Sequence, residues 1–539
     1  MKISPSMKSK SATSFQKAFR KLQRDNVKIT LAIVFVVIIA GMALFFGHAN
    51  LHMPLLALAT VVGGYMAMNI GANDVANNVG PLVGSQTITL SMAILIAAIC
   101  EVLGAVLAGS EVVQSIKGKI INPAHIQSTT VFVGMMFSAL LSGAIWLHLA
   151  TAIGAPVSTT HSIVGGILGA GLVAGGLGAV NWSFLGGIVG SWIISPLMGG
   201  GIAMGLLVLF KYILSDREDK KAAALKSMSA IVGGMGLSFS WFMLAKVLHL
   251  TLAMWQELGL SVGVGFLAYI GFRSYVKKKL PSLENTRESI HTLFTWPLIF
   301  SAALLSFAHG TNDVANAVGP LAAIVQSLQE WGNHAIPTKA YAPAWIMLIG
   351  GLGIATGLSL YGPRLIKTVG SEITELDKMQ AFCIAMATVV TVLLASKLGL
   401  PVSSTHITIG AVFGVGFLRE FLQKRLFEMK QMILDAHHGE DEAVVKNFLD
   451  RFEKANPRQK KEMLAYLKAL QKENNTLEYT VGLSKKERKS LKKAYKSELV
   501  KRSVIKKIIT AWLVTVPISA LLGALGYYLV DFFRIVERL

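Results

Sequence analysis

The chain has 539 residues, of which 53% are hydrophobic and only 15% charged. That balance excludes an ordinary soluble domain and fits a polytopic membrane protein, where the 51 glycines would serve close helix packing. The net charge of +21 does not point to nucleic acid, because the lysines and arginines cluster before residue 29, in short loops, and between Arg419 and Lys507, as cytoplasmic segments do.

The basic N-terminus (Lys2, Lys8, Lys10, Lys17, Arg20, Lys21, Arg24, Lys28) leads into an apolar run from Ile29 to Phe46. A signal peptide has a shorter apolar core and a small-residue cleavage site, so this run reads as a first spanning helix with its N-terminus inside. Further apolar runs lie at 54–70, 87–109, 129–150, 155–178, 183–212, 227–250, 257–275, 294–309, 341–362, 380–398, 401–418 and 505–531. The fold class is therefore all-α, with about 12–13 spans. The runs at 155–178 and 401–418 are glycine-rich and begin with proline, so each is either a full span or a re-entrant hairpin. Basic loops at 213–226, 273–291, 363–379 and 419–504 fall on the cytoplasmic side, and 327–340 falls outside; only 110–128, with Lys117 and Lys119, runs against the rule. Cys100 and Cys383 sit in apolar runs and imply no disulfide framework.

Two motifs occur twice. Gly71-Ala72-Asn73-Asp74-Val75-Ala76-Asn77-Asn78-Val79-Gly80-Pro81 matches Gly310-Thr311-Asn312-Asp313-Val314-Ala315-Asn316-Ala317-Val318-Gly319-Pro320, and Pro156-Val157-Ser158-Thr159-Thr160-His161 matches Pro401-Val402-Ser403-Ser404-Thr405-His406. A weaker pair is Trp192-Ile193-Ile194-Ser195-Pro196 with Trp512-Leu513-Val514-Thr515-Val516-Pro517, aligned with one residue inserted. The expected organisation is a basic N-terminus and extra helix (1–50), repeat one (51–213), a two-helix linker (214–292), repeat two (293–418), a cytoplasmic helical insert (419–504) and a last span completing repeat two (505–539). With the linker returning the chain to the same side, the repeats have inverted topology, which points to a substrate site between broken helices.

Asn73, Asp74 and Asn77, with Asn312, Asp313 and Asn316, put hard oxygen ligands in an apolar setting. They suit Na⁺ or protons, and the flanking glycine and Gly-Pro steps would permit a helix break there. The bland alternative is interhelical hydrogen bonding. Ser158, Thr159, Thr160 and Ser403, Ser404, Thr405 stand at predicted helix starts, where hydroxyls and free N–H groups would either cap or cradle a tetrahedral oxyanion. His161 and His406 follow as structural residues or proton relays, and unduplicated Glu101, whose repeat partner is near Ile354, either binds a coupling ion or pairs with a buried polar group. No lysine or arginine lies beside either motif, so an anion there would need co-bound cations; this favours cation-coupled symport over a pore. An intramembrane hydrolase using Ser158, His161 and Asp74 has no use for the duplication and lacks a G-x-S-x-G context. His437-His438 in the insert reads as a solvated loop pair or a metal site.

These doubled strings resemble the inorganic phosphate transporter (PiT) family across both repeats. The resemblance implies a non-enzymatic carrier that imports inorganic phosphate with Na⁺ or H⁺ by alternating access, with no cofactor. It implies that Asp74, Asp313 and their asparagines form the cation and phosphate site, and that the two Ser/Thr triplets cradle phosphate. The Asn-Asp form looks more like the sodium-coupled members than the proton-coupled Phe-His-Asp-Thr-Ala-Asn form. Some relatives carry a glutamate in each half, which this chain does not, and some carry sulfate. A multi-pass protein of a bacterial inner membrane is expected, in contact with lipid; the sequence leaves a homodimer open.

Overall fold

A computed structural model describes residues 5–47, 52–109, 113, 120–247, 252–331, 342–372, 376–397, 402–435 and 502–538. Among these residues the secondary structure is helical, with a single bridge between Ile121 and Val180. Eleven helical stretches are long and apolar enough to cross a membrane, and Thr159–Gly175 is a shorter apolar helix. The chain is an all-α, multi-pass membrane protein.

Helix α1 (Pro5–Phe46) carries the basic segment directly into the first apolar run. Helix α2 (Met53–Asn73) starts on Pro54, which needs no N–H partner in a first turn, and α3 (Ala76–Gly84) follows after a break at the motif. Then come α4 (Leu90–Ala108), α5 (Thr129–Ala152), α6 (Thr159–Gly175) and α7 (Trp182–Phe210). Each starts on a side-chain cap, from Thr89, Ser128, Ser158 and Asn181 in turn. Helices α8 (Lys220–Phe242) and α9 (Met254–Lys279) pack on each other as the two-helix connection. The second half contains α10 (Thr295–Asp313), α11 (Ala315–Gln329), α12 (Ala344–Tyr361), α13 (Lys378–Lys397), α14 (Ser404–Asp435) and α15 (Arg502–Phe532). Helix α14 does not stop at residue 418 but runs on to Asp435. Most of the expected insert, 436–501, lies outside the described residues, His437 and His438 included.

Helix positions follow polarity. In the most apolar 18-residue window of Met53–Gly84, 78% of the residues are buried within the protein, against 17% in those of Asn26–Phe46 and Met254–Ser282. The motif-bearing stretch Met53–Gly84 is therefore interior, while the first helix and the second helix of the connection lie at the periphery.

The interior is held together by glycines at which helix backbones touch. A Cβ on Gly71 would collide with the carbonyl oxygen of Ile354, and one on Gly357 with that of Met68. The same contact recurs between the other pair of helices, where a Cβ on Gly310 would collide with the carbonyl of Glu101, and one on Gly104 with that of Phe307. Thus α2 leans on α12 and α10 leans on α4, each motif helix resting on a helix of the other half. The second motif behaves alike: Gly169 lies against the Ala520 carbonyl and Gly414 against that of Gly200. Gly165 likewise meets Val516, and Gly410 meets Pro196. This fixes an alignment of α7 with α15 that runs from Trp192 and Trp512 without the expected one-residue insertion. Pro196 corresponds to Val516, so the two prolines are not equivalent.

The glycines of the first motif do not break the helices, contrary to expectation. The break in the first copy falls at Asp74–Val75, where Asn77 N–H bonds the Asp74 carbonyl at 2.9 Å and Asn78 N–H bonds that of Val75 at 3.0 Å. In the second copy the interruption is at Val314. Gly71 and Gly310 serve instead to let two backbones meet.

Candidate functional site

The two doubled motifs converge on one buried cluster. Asp74 and Asp313 are each 1% exposed. Asp74 Oδ2 accepts from the Thr159 hydroxyl at 2.8 Å. Its Oδ1 accepts from Asn77 Nδ2 at 3.0 Å and from the Thr405 hydroxyl. Asp313 Oδ2 accepts from the Ser404 hydroxyl at 2.8 Å, and its Oδ1 from Asn312 Nδ2 at 3.1 Å. Thr159 and Ser404 are equivalent positions, so each half supplies one hydroxyl to its own aspartate.

Other bonds cross between halves in matched pairs. Thr160 donates to the Val402 carbonyl at 3.3 Å, and Thr405 to that of Val157 at 3.4 Å. Asn316 donates to Thr160 at 3.3 Å and to Thr159 at 3.1 Å, while Asn77 donates to Thr405 at 2.8 Å. Buried polar groups demand partners, and here the partner lies in the opposite half. Neither half completes the cluster alone.

Not every expected site residue points there. Ser158 and Ser403 are spent as caps, accepting from His161 N–H at 3.1 Å and His406 N–H at 3.2 Å. Asn73 is committed to the connection before α6: its Oδ1 accepts from Val157 N–H at 2.9 Å, and its Nδ2 donates to the Ala155 carbonyl at 3.1 Å and to Thr151 at 3.0 Å. An amide that mimics backbone in this way positions Val157 and the following helix start. Asn312, its repeat partner, bonds the adjacent aspartate instead. His161 and His406 form an aromatic stack: His161 lies 3.7 Å from the Trp192 ring centre, His406 lies 3.8 Å from that of Trp512, and the two imidazoles meet edge-on at 4.4 Å. This explains the weak tryptophan repeat, since each indole covers the imidazole that ends the Pro-Val-Ser string of its own half.

The residue that sequence reasoning missed is His309. It is fully buried, with Nδ1 2.8 Å from Glu101 Oε2 and Nε2 2.7 Å from Asp313 Oδ2 and 3.7 Å from Asp74 Oδ2. Glu101 Oε1 in turn accepts from Asn78 Nδ2 at 2.9 Å. Glu101 therefore pairs with buried polar groups. The repeat equivalents of Asn78, Glu101 and His309 are Ala317, Ile354 and Ile70, all apolar. A signal existed in the sequence: polar residues that break the repeat in three places meet at one point.

Asp74, Asp313 and His309 are the group of ionisable residues whose ligand atoms come close enough to hold an ion among the described residues, all within 4.8 Å of one another. Among the described residues, Asn77 Oδ1 is buried beside Asp74 with no hydrogen-bond partner. The cluster offers hydroxyl, amide and carboxylate oxygens, a hard-ligand set suited to small cations and to an oxyanion held through hydroxyls.

Fold and site together define a multi-pass membrane carrier whose polar centre lies at the junction of two repeats. Residues 70–523 match the phosphate transporter family, and the chain belongs to that family. A protein of Helicobacter pylori (strain ATCC 700392 / 26695) named "Putative phosphate permease" is 58% identical over 532 residues, covering 98% of this chain and 99% of its own length. A Pyrococcus abyssi protein of the same description is 38% identical over 366 residues, 68% of this chain and 89% of its own. A solved structure titled "The sodium-dependent phosphate transporter" superposes with a TM-score of 0.70 at 29% identity, covering 89% of this chain and 99% of that one. Phosphate transport, not catalysis, is the activity of the family.

Proposed function

We propose that the chain imports inorganic phosphate by cation-coupled symport, with Na⁺ as the coupling ion, and that Asp74 and Asp313 with Thr159, Thr160, Ser404 and Thr405 form the shared cation and phosphate site. The observation that carries this reading is the crossed bonding between the two motif pairs around two buried carboxylates. A phosphate entering beside two carboxylates is repelled unless cations accompany it. Sodium bound to the aspartate and asparagine oxygens supplies that charge, and each charge moved across the membrane adds about 2.3 kcal/mol per 100 mV. The hydroxyls of Thr159, Thr160, Ser404 and Thr405, now resting on the carboxylates and carbonyls, are the donors available to phosphate oxygens. The helix starts they occupy add partial positive charge. The sodium assignment draws on the likeness to a sodium-dependent transporter at 29% identity and on the Asn-Asp form of both motifs.

In this reading the halves have inverted topology. The chain sits in a bacterial inner membrane with its basic N-terminus in the cytoplasm, and access alternates as one half moves against the other about the shared site. The test is phosphate uptake into proteoliposomes at fixed pH with Na⁺ replaced by choline, and sulfate as competitor. Uptake should fall to background without Na⁺ and should resist sulfate. Uptake equal in both salts rejects sodium coupling.

A further inference from the structure

We propose that Trp192, His161, His406 and Trp512 are positioning residues for the anion cradle: a four-ring spacer that holds the two helix starts, with Thr159 and Thr160 on one and Ser404 and Thr405 on the other, at a fixed separation and so sets which tetrahedral oxyanion is accepted. The inference rests on the reading of those hydroxyls as the phosphate donors and deepens it to the size of the substrate.

Three observations converge. First, the rings adjoin the cradle. His161 directly follows Thr160 and His406 directly follows Thr405, and the two are 4% and 3% exposed. The imidazoles meet edge-on across the junction of the halves, with planes at 81°, and each lies tilted on its own indole, at 38° for Trp192 and 31° for Trp512. Second, the stack joins helix pairs that are already locked at the backbone. Helix α7 meets α14 at Pro196 with Gly410 and at Gly200 with Gly414, and α15 meets α6 at Val516 with Gly165 and at Ala520 with Gly169. Trp192 stands one turn before Pro196 and Trp512 one turn before Val516, so each indole reaches from one locked pair to an imidazole of the other. A close-packed interior transmits such a constraint with little give. Third, the hydrogen bonds that link the two starts are long. Thr160 reaches the Val402 carbonyl at 3.3 Å and Thr405 that of Val157 at 3.4 Å, against about 2.7–2.8 Å for a typical O–H···O bond. Both are given up when those hydroxyls turn to a phosphate oxygen, whereas the ring contacts do not involve the hydroxyls and remain. Among the described residues, neither nitrogen of His161 and neither indole N–H has a hydrogen-bond partner, so the stack is held by ring faces and edges. The thickness of the rings, and no polar link, then keeps the starts apart with substrate in place.

The measurement is displacement of ³²P-phosphate from the purified full chain, in sodium buffer, by phosphate and by the larger arsenate, for the parent and three paired variants. His161→Ala with His406→Ala removes the spacer. The starts then close in part on the space left, so arsenate should lose about 10-fold more affinity than phosphate does. Trp192→Leu with Trp512→Leu thins the stack without emptying it and should move the ratio the same way by less. His161→Phe with His406→Phe keeps the rings and drops the imidazole nitrogens, and should hold the parental ratio to within about 3-fold. A ratio unchanged or shifted toward arsenate in the alanine and leucine pairs overturns the proposal. So does folded phenylalanine-pair protein that binds no phosphate, which would make the nitrogens the functional atoms. Failure of the alanine and leucine pairs to fold makes the stack a structural strut and overturns it too. Absence of sodium-driven phosphate uptake by the unaltered chain in proteoliposomes defeats the phosphate reading itself, and is seen before any variant is made.

Discussion

Asp74 and Asp313 stand at equivalent points of two copies of one motif, yet they keep different company. Asp74 accepts from the hydroxyls of Thr159 and Thr405 and the amide of Asn77, with His309 Nε2 farther off at 3.7 Å. Asp313 has one hydroxyl, one amide and the His309 ring. The backbone framework around them is the same in both halves down to the glycine contacts. Duplication therefore preserved the scaffold that brings the aspartates together, while three substitutions made the chemistry at one of them distinct. The lesson is that near-symmetry of fold does not require symmetry of charge.

The comparison is most severely tested at the aspartates. Asp74→Asn and Asp313→Asn should each reduce sodium-driven phosphate accumulation by about 30-fold or more, since removing one charge of a buried charged pair typically costs about 2–5 kcal/mol. Uptake into proteoliposomes with an imposed sodium gradient measures this, and parental accumulation by either variant would remove that aspartate from the site. Next come Gly71→Ala and Gly310→Ala. Each added methyl meets a backbone carbonyl that cannot rotate away, and overpacking of this kind costs about 1–3 kcal/mol. Equal losses of thermal stability in detergent are expected, because the two contacts are equivalent. A loss at only one glycine would break the structural half of the comparison.

A sharper contrast is predicted for Asn78→Ala against Ala317→Asn. The first removes the amide that anchors Glu101, at about 1.5–3 kcal/mol for a hydrogen bond to a charged group, and should weaken phosphate uptake. The second places an amide beside Ile354, where nothing calls for it, and should lower stability without the same change in sodium dependence. Smallest are the caps: Ser158→Ala and Ser403→Ala should each cost about 1 kcal/mol, visible as a shift in unfolding temperature, with phosphate affinity little changed. A large affinity loss in either would return that serine to the anion cradle.

Much of this was legible in the sequence. The apolar runs gave the helices because a membrane span has to satisfy its own backbone, and the doubled strings marked the residues that meet at the centre. The roles within those strings were less legible. Ser158 and Thr159 are adjacent and chemically alike, but one turns back onto its own helix and the other turns to Asp74; only the path of the backbone separates them. Asn73 and Asn312 match in sequence and differ in partner, because Asn73 has the 151–157 connection beside it. His309 carries no repeat signal, because it lies outside the repeated string, at a position where the other copy has Ile70. A search for sameness passes over it. The end of α14 is not marked by the apolar run, which stops near 418 while helix-compatible residues continue to Asp435.

One consequence of the interlocked helices concerns how the protein is made. Helix α6, which presents Thr159 and Thr160, rests along Gly165 and Gly169 on the backbone of α15, the last long helix. Residues 175 and 502, which end the one and begin the other, are 327 apart. At about 5–20 residues per second this is roughly a quarter of a minute to a minute of synthesis. Throughout that interval the first half sits in the bilayer with a glycine face uncovered and its polar cluster unfinished. Biogenesis must therefore hold the early helices in place until the C-terminal one is released, and truncation before residue 502 would strand the first half as well as the second.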